Sequence, residues 1–290
     1  GYQYSLDYAK ERPQGRLPSS KDPNSPPVNI IEHADVRRML LAQKAYAEVA
    51  YALCLYGTRL AEDEHTAPTA EERAAAHELL DFLTPIIKTW PSEYGPRANS
   101  LAIQVLGGSG YVNEHPVEMM YRDNRLNPIH EGTTGIQSLD LLARKVPQNN
   151  LAGYQACLAA MAETIAEARD LQDTSGSAQQ LASAIATLKA TTESLLGAML
   201  EKNIDLALAN SVKYLDMFGN VVIAWMWLKQ GVVAARALAT ADHDRERNFY
   251  RGKLQAMRYF CRYELPEIEV WARLLSGLDD TCYAMQPEWF

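Results

Sequence analysis

Apolar residues recur every three or four positions along most of the chain, the signature of helices that bury one face. Val36, Met39, Leu40, Ala47, Ala50, Leu53 and Leu60 predict a helix beginning near Ala34 and ending in the polar run 61–69. A second helix is predicted from about Glu71 to Lys88, with a break around Pro91 to Pro96, because proline removes a helix donor and clashes with the preceding turn. A third runs from about Arg97 to Leu106 and stops at Gly107-Gly108, as helices with glycine just past their end do. Beyond a Pro-Gln-Asn-Asn break at 147–150 the spacing resumes, through Leu181, Ile185, Leu188, Leu195, Met199 and Leu206, and again through Val222, Trp225, Leu228 and Val232. Gly176, Gly219 and Asp242-His243 read as breaks or close-packing points. Strand-type alternation is nearly absent. The pattern predicts an all-α chain of two helical bundles in tandem, residues 1–147 and 148–290, joined near 147–153.

Two stretches depart from this periodicity. Residues 17–29 are rich in Pro, Ser, Asp and Asn and read as a loop. Residues 109–135 hold Pro116 and Pro128 and, with Gly107 and Gly108, five of the sixteen glycines, ahead of a helix predicted over 136–145. At the start, Gln3 to Glu11 reads as the tail of a helix with no capping residue before it, so an upstream part is expected.

Net charge of −8 argues against nucleic acid as a partner, since phosphate binding needs a basic face. Cys54, Cys157, Cys261 and Cys282 form no CxxC pair, which argues against a zinc site; buried free thiols in a cytoplasmic protein are expected. No signal peptide is visible, and the longest apolar run, Val221 to Leu228, falls short of the ~20 residues a membrane span needs. No membrane span and no metal are therefore expected.

Candidate chemistry lies in the irregular centre. In Gln104-Val105-Leu106-Gly107-Gly108-Ser109-Gly110 a helix end runs into three glycines within four residues, which lets backbone approach a ligand closely. Alone it reads as a helix stop. In Ile129-His130-Glu131-Gly132-Thr133-Thr134-Gly135, Thr133 or Thr134 caps the following helix, whose free N–H groups favour an anion. Glu131, with Ile129 beside it, is expected in partly apolar surroundings that suit a general base, although a charge that merely stabilises the helix start explains it too. His-Glu-Gly-Thr-Thr lacks the second histidine of a zinc-protease motif.

Together these segments resemble the C-terminal domain of the acyl-CoA dehydrogenase family. Members carry Gln-x-x-Gly-Gly-x-Gly, an Arg-Asp pair and then Glu-Gly-Thr opening a helix, here Gln104–Gly110, Arg122-Asp123 and Glu131-Gly132-Thr133. Tyr8-Ala9-Lys10-Glu11-Arg12 resembles the family's helix leading to a flavin-contacting arginine, and Ile31-Glu32-His33 sits where the next helix resumes. The resemblance covers about residues 2–147. The remainder is similar to the extra helical domain of a larger subgroup that includes methylthiopropionyl-CoA dehydrogenases, through Tyr214–Gly219, Trp225–Leu228 and Leu265–Glu267. A packed aromatic bundle would explain that second set equally well.

The resemblance implies FAD-dependent α,β-dehydrogenation of an acyl-CoA thioester in fatty acid metabolism. Glu131 is then the base that removes the α-proton while hydride leaves Cβ for the flavin, and Gly132 lies against the thioester. Arg12, His33, Gln104, Val105, Leu106, Gly107, Gly108, Thr133, Thr134 and Gly135 would contact FAD, the 104–108 stretch across a subunit interface of a homodimer. An electron-transfer flavoprotein would be the redox partner. His130 stands where many members have Tyr, and members differ in where the base resides. The family's N-terminal helical domain and middle β-domain have no counterpart in these 290 residues, so the isolated chain is expected to be an inactive fragment. The alternative is a non-catalytic oligomerisation module, or a subunit pairing with a separate flavin-binding chain.

Overall fold

The computed structural model describes residues 1–20, 22 and 24–290. The chain is all-α. Its helices are α1 (Tyr2–Glu11), α2 (Ala34–Thr66), α3 (Ala70–Leu106), α4 (Val117–Asn124), α5 (Thr134–Leu139), α6 (Gln148–Arg169), α7 (Ser175–Leu200), α8 (Ile204–Leu208), α9 (Ser211–Leu238), α10 (Asp244–Tyr259) and α11 (Ile268–Ser276). Among the described residues there is no strand, only an isolated bridge between Pro13 and Asn29. Contacts divide the chain into two compact units: residues 1–50 with 91–130, and residues 51–90 with 131–290.

The first unit is built on a cluster of Ala9, Ile30, Met39, Leu40, Ala102, Val105, Leu106 and Val117. One buried polar pair crosses it: the hydroxyl of Ser5 donates to Gln43 Oε1 at 3.0 Å. The same buried hydroxyl also lies 3.0 Å from the Tyr2 carbonyl, so it keeps an acceptor on either side and its desolvation is offset.

The second unit is organised around α9, which packs against α5, α6, α7, α10 and α11. Every residue from Met217 to Leu228 is buried. The apolar run alone, Val221–Leu228, is too short for a membrane span, yet the whole 28-residue helix is long and apolar enough, by length and composition alone, to cross one. Burial of its central stretch on all sides explains that composition: α9 is the core of its unit. Two of its buried polar side chains find partners there, whereas among the described residues the buried Trp227 Nε1 has none. Asn220 accepts from Trp90 Nε1 at 3.0 Å and donates to the Glu264 carbonyl at 3.2 Å, and Trp225 Nε1 donates to Thr164 at 2.8 Å. Gly219 is a close-packing point rather than a break, since a β-carbon there would lie 3.0 Å from Trp90 Cδ1.

The predicted break at Pro91–Pro96 is corrected. A single helix runs from Ala70 through Pro85, Pro91 and Pro96 to Leu106. Phe82, Ile86 and Trp90 in the second unit, and Tyr94, Ala98 and Ala102 in the first, are all buried at one-turn spacing. This stripe outweighs three missing donors at about 3 kcal/mol each. The helix starts with a capping box: Thr69 Oγ1 accepts from Glu72 N at 3.1 Å, and Glu72 accepts from Thr69 N at 3.0 Å. The cysteines also differ from expectation. Cys157 and Cys261 are buried, but Cys54 and Cys282 are exposed, because their helix and turn positions face away from either core.

Candidate active site

Glu131 and Gly132 both adopt left-handed backbone, at φ +53° and +86°. For a non-glycine residue this conformation costs about 1–2 kcal/mol, so something must hold it. Two side chains do. Lys88 Nζ donates to the Gly132 carbonyl at 2.6 Å, and Gln137 Nε2 donates to the Glu131 carbonyl at 3.1 Å. Thr133 is the N-cap of α5, extended at φ −62° and ψ 164°, with Oγ1 accepting from Ile136 N at 3.4 Å. The Gly135 N–H, at the second helical position, has no acceptor within the helix. A hydrogen bond of 2.9 Å between the Ser138 and Ser211 hydroxyls pins α5 to α9.

Glu131 itself is exposed. The expected apolar enclosure is not supplied by its own unit. The turn lies at the surface, and the nearest apolar side chain of α5, Ile136, is 59% exposed as well.

The other predicted residues lie in the first unit. Arg12 closes α1, its N–H donating to the Tyr8 carbonyl at 3.0 Å, and its own carbonyl accepts from Ile30 N at 2.8 Å. The guanidinium is exposed and, among the described residues, has no acidic partner. His33 Nε2 lies 2.8 Å from the Gln14 carbonyl, which can only accept, so that nitrogen carries the proton. Val105 and Leu106 place their side chains in the core beside Ala9 and Ile30. Gln104, Gly107 and Gly108 are exposed; Gly107 has φ +62°, and a β-carbon on either glycine would meet nothing within 4 Å. Gly110 instead permits close packing, since a β-carbon there would lie 2.5 Å from the Ile103 carbonyl. Of these residues, Val105 and Leu106 share one apolar cluster with Ala9 and Ile30, while Arg12, Gln104, Gly107 and Gly108 are exposed, and His33 half-buried, on the segments that adjoin it. Arg122 and Asp123 lie on the exposed side of α4, with Arg122 3.7 Å from Glu118. Lys88 and Gln137 are the residues that sequence reasoning missed.

Two family models match the chain: "Acyl-CoA dehydrogenase, C-terminal domain" over residues 4–146, and "Acetyl-CoA dehydrogenase C-terminal like" over residues 157–286. The chain belongs to the acyl-CoA dehydrogenase family. It is 32% identical to a broad-specificity linear acyl-CoA dehydrogenase of Mycobacterium tuberculosis, over 97% of this chain and 47% of that one. It is 36% identical to the 3-methylmercaptopropionyl-CoA dehydrogenase of Ruegeria pomeroyi, over 92% and 44%. The chain therefore spans about half the length of these relatives. Its fold is that of a Bacillus anthracis acyl-CoA dehydrogenase crystallised with FAD, with a TM-score of 0.68 at 20% identity, covering 94% of this chain and 45% of that one. It also matches Caenorhabditis elegans ACDH-11 in complex with C11-CoA, with a TM-score of 0.65 at 13% identity, covering 97% and 44%.

Proposed function

We propose that this chain forms the helical half of an FAD-dependent acyl-CoA dehydrogenase, with Glu131 as the base that removes the α-proton of an acyl-CoA thioester. The observation that carries this is the turn at 131–132. A strained carboxylate-bearing residue is held from two sides at a capped helix start, and strain of this kind collects at functional sites.

Each unit carries groups that suit an anionic dinucleotide. Arg12 offers an exposed guanidinium without an acidic partner among the described residues, Gly107 and Gly108 offer backbone with open space around them, and Thr133, Thr134 and Gly135 offer a helix start. Bound FAD would supply the acceptor for the hydride leaving Cβ. Glu131 takes the α-proton, and Gly132, lacking a side chain, leaves room for the thioester. His33 and the backbone of Gln104, Val105 and Leu106 complete the cofactor wall in a homodimer, and an electron-transfer flavoprotein reoxidises the enzyme.

We further propose that activity requires the family's N-terminal and β-domains, so that the 290 residues alone do not turn over acyl-CoA. In the full-length enzyme, Glu131→Gln is expected to lower the reductive half-reaction at least ~100-fold, the usual loss when a general base is removed, with FAD still bound. A rate within about threefold of the parent would remove Glu131 from this role.

A further inference from the structure

A cleft of about 460 Å³ opens in the second unit among α2, α9 and α10, within the range of about 300–1,000 Å³ that small-molecule sites occupy. Its walls are Leu55, Tyr56, Met226, Val233 and Phe249, and among the described residues its only charged lining groups are Lys229 and Lys253. None of the residues assigned to FAD or thioester lines it. The absence of a lining carboxylate is informative in a chain whose acids outnumber its bases 36 to 28. Leu55, Val233 and Phe249 are 51%, 64% and 56% exposed, an apolar surface of the kind that marks binding.

Both lysine heads are placed by aromatic rings. Lys229 Nζ lies 5.5 Å from the Tyr56 ring and 5.6 Å from that of Trp225, and among the described residues no carboxylate lies within 4 Å of it. Lys253 Nζ lies 5.6 Å from the Phe249 ring and donates to Gln230 Oε1 at 3.1 Å. Such stems cover apolar wall while the ammonium groups stay at the mouth. The result is a greasy trough with two cations on its rim.

We propose that this groove binds a linear alkyl carboxylate of medium length, its chain along Leu55, Met226 and Val233 and its head between Lys229 and Lys253. The test is calorimetric titration of the 290-residue chain with octanoate, decanoate and dodecanoate below their micelle concentrations. Decyltrimethylammonium serves as the cationic control. One site per chain is expected, tightening about fourfold per added methylene. Lys229→Glu and Val233→Asp, both at exposed positions, should each weaken decanoate about tenfold or more while circular dichroism and the unfolding midpoint hold. The proposal is overturned by absence of saturable binding, by equal binding of the cation, or by unchanged affinity in both variants. A dimer in sedimentation velocity that Val233→Asp dissolves would also overturn it, by assigning the groove to a second copy.

Discussion

The ammonium of Lys88 holds the carbonyl of Gly132 at 2.6 Å across 44 residues of sequence. The acceptor belongs to the turn that carries Glu131, so a residue with no chemistry of its own fixes where the carboxylate begins. Lys88→Met is expected to cost about 1.5–3 kcal/mol, the worth of a hydrogen bond from a charged group. It should also speed proteolytic cleavage at 131–134. Denaturant melts and timed digestion read both effects; unchanged values in the two would show that the turn stands without Lys88.

Two neighbouring glycines should respond in opposite ways. A β-carbon on Gly132, at φ +86°, would lie 2.6 Å from Gln137 Nε2, the donor to the Glu131 carbonyl. Gly132→Ala is therefore expected to destabilise by about 1–3 kcal/mol. At Gly135 the nearest atom to such a carbon is 4.0 Å away and the residue is helical. Gly135→Ala should be neutral or stabilise by up to ~1 kcal/mol. Thermal unfolding of the pair decides it.

Asp81 accepts from Lys145, which is only 5% exposed, and from the Gln148 amide at 3.1 Å. Burial alone would raise the Asp81 pKa, but the Lys145 ammonium and the Gln148 amide outweigh it and hold the carboxyl below its ordinary value. A depressed pKa contributes stability above the unfolded value of about 3.9 that disappears as pH falls through the folded one. Asp81→Asn should cost about 2–3 kcal/mol at pH 7, less than a fully buried pair because Asp81 is partly exposed. The difference from the parent should shrink steadily below about pH 4. Melts across that range test the sign.

Asn220 serves two partners inside the α9 core, the Trp90 indole and the Glu264 carbonyl. Asn220→Leu fits the apolar surroundings yet removes both bonds. About 2–4 kcal/mol should be lost in urea unfolding. A stable variant would mean that shape, not pairing, selects this residue.

Most of the helical content is legible because it follows from spacing: the stop at Gly107 and the restart after 147–150 both sit at residues whose backbone preferences announce them. Pro91 and Pro96 mislead for the same reason. Local preference argues for a break, whereas buried neighbours one turn apart, Trp90 and Tyr94, decide for continuity. Glu131-Gly132-Thr133 is visible as a motif, but the two donors that hold it are not. Gln137 carries no local signal of its role, and Lys88 reaches the turn only through the fold.

Asn149, Asn150 and Leu151 are three consecutive left-handed residues, at φ +48°, +55° and +68°, between the π-turn Asp140–Lys145 and the body of α6. Asparagine accepts this conformation readily and leucine does not; the Asn149 amide reaches Glu78 at 3.2 Å and Gly153 abuts Phe82, which fastens the segment in place. A right-handed screw is thereby interrupted by nearly one turn of the opposite hand. The rotation per residue changes sign there, so the face on which α6 presents Cys157, Met161 and Ile165 is set by these three residues and not by a 3.6-residue period continued from Leu141 and Leu142. A helical period read straight across residues 149–151 would therefore assign the wrong positions of α6 to the core.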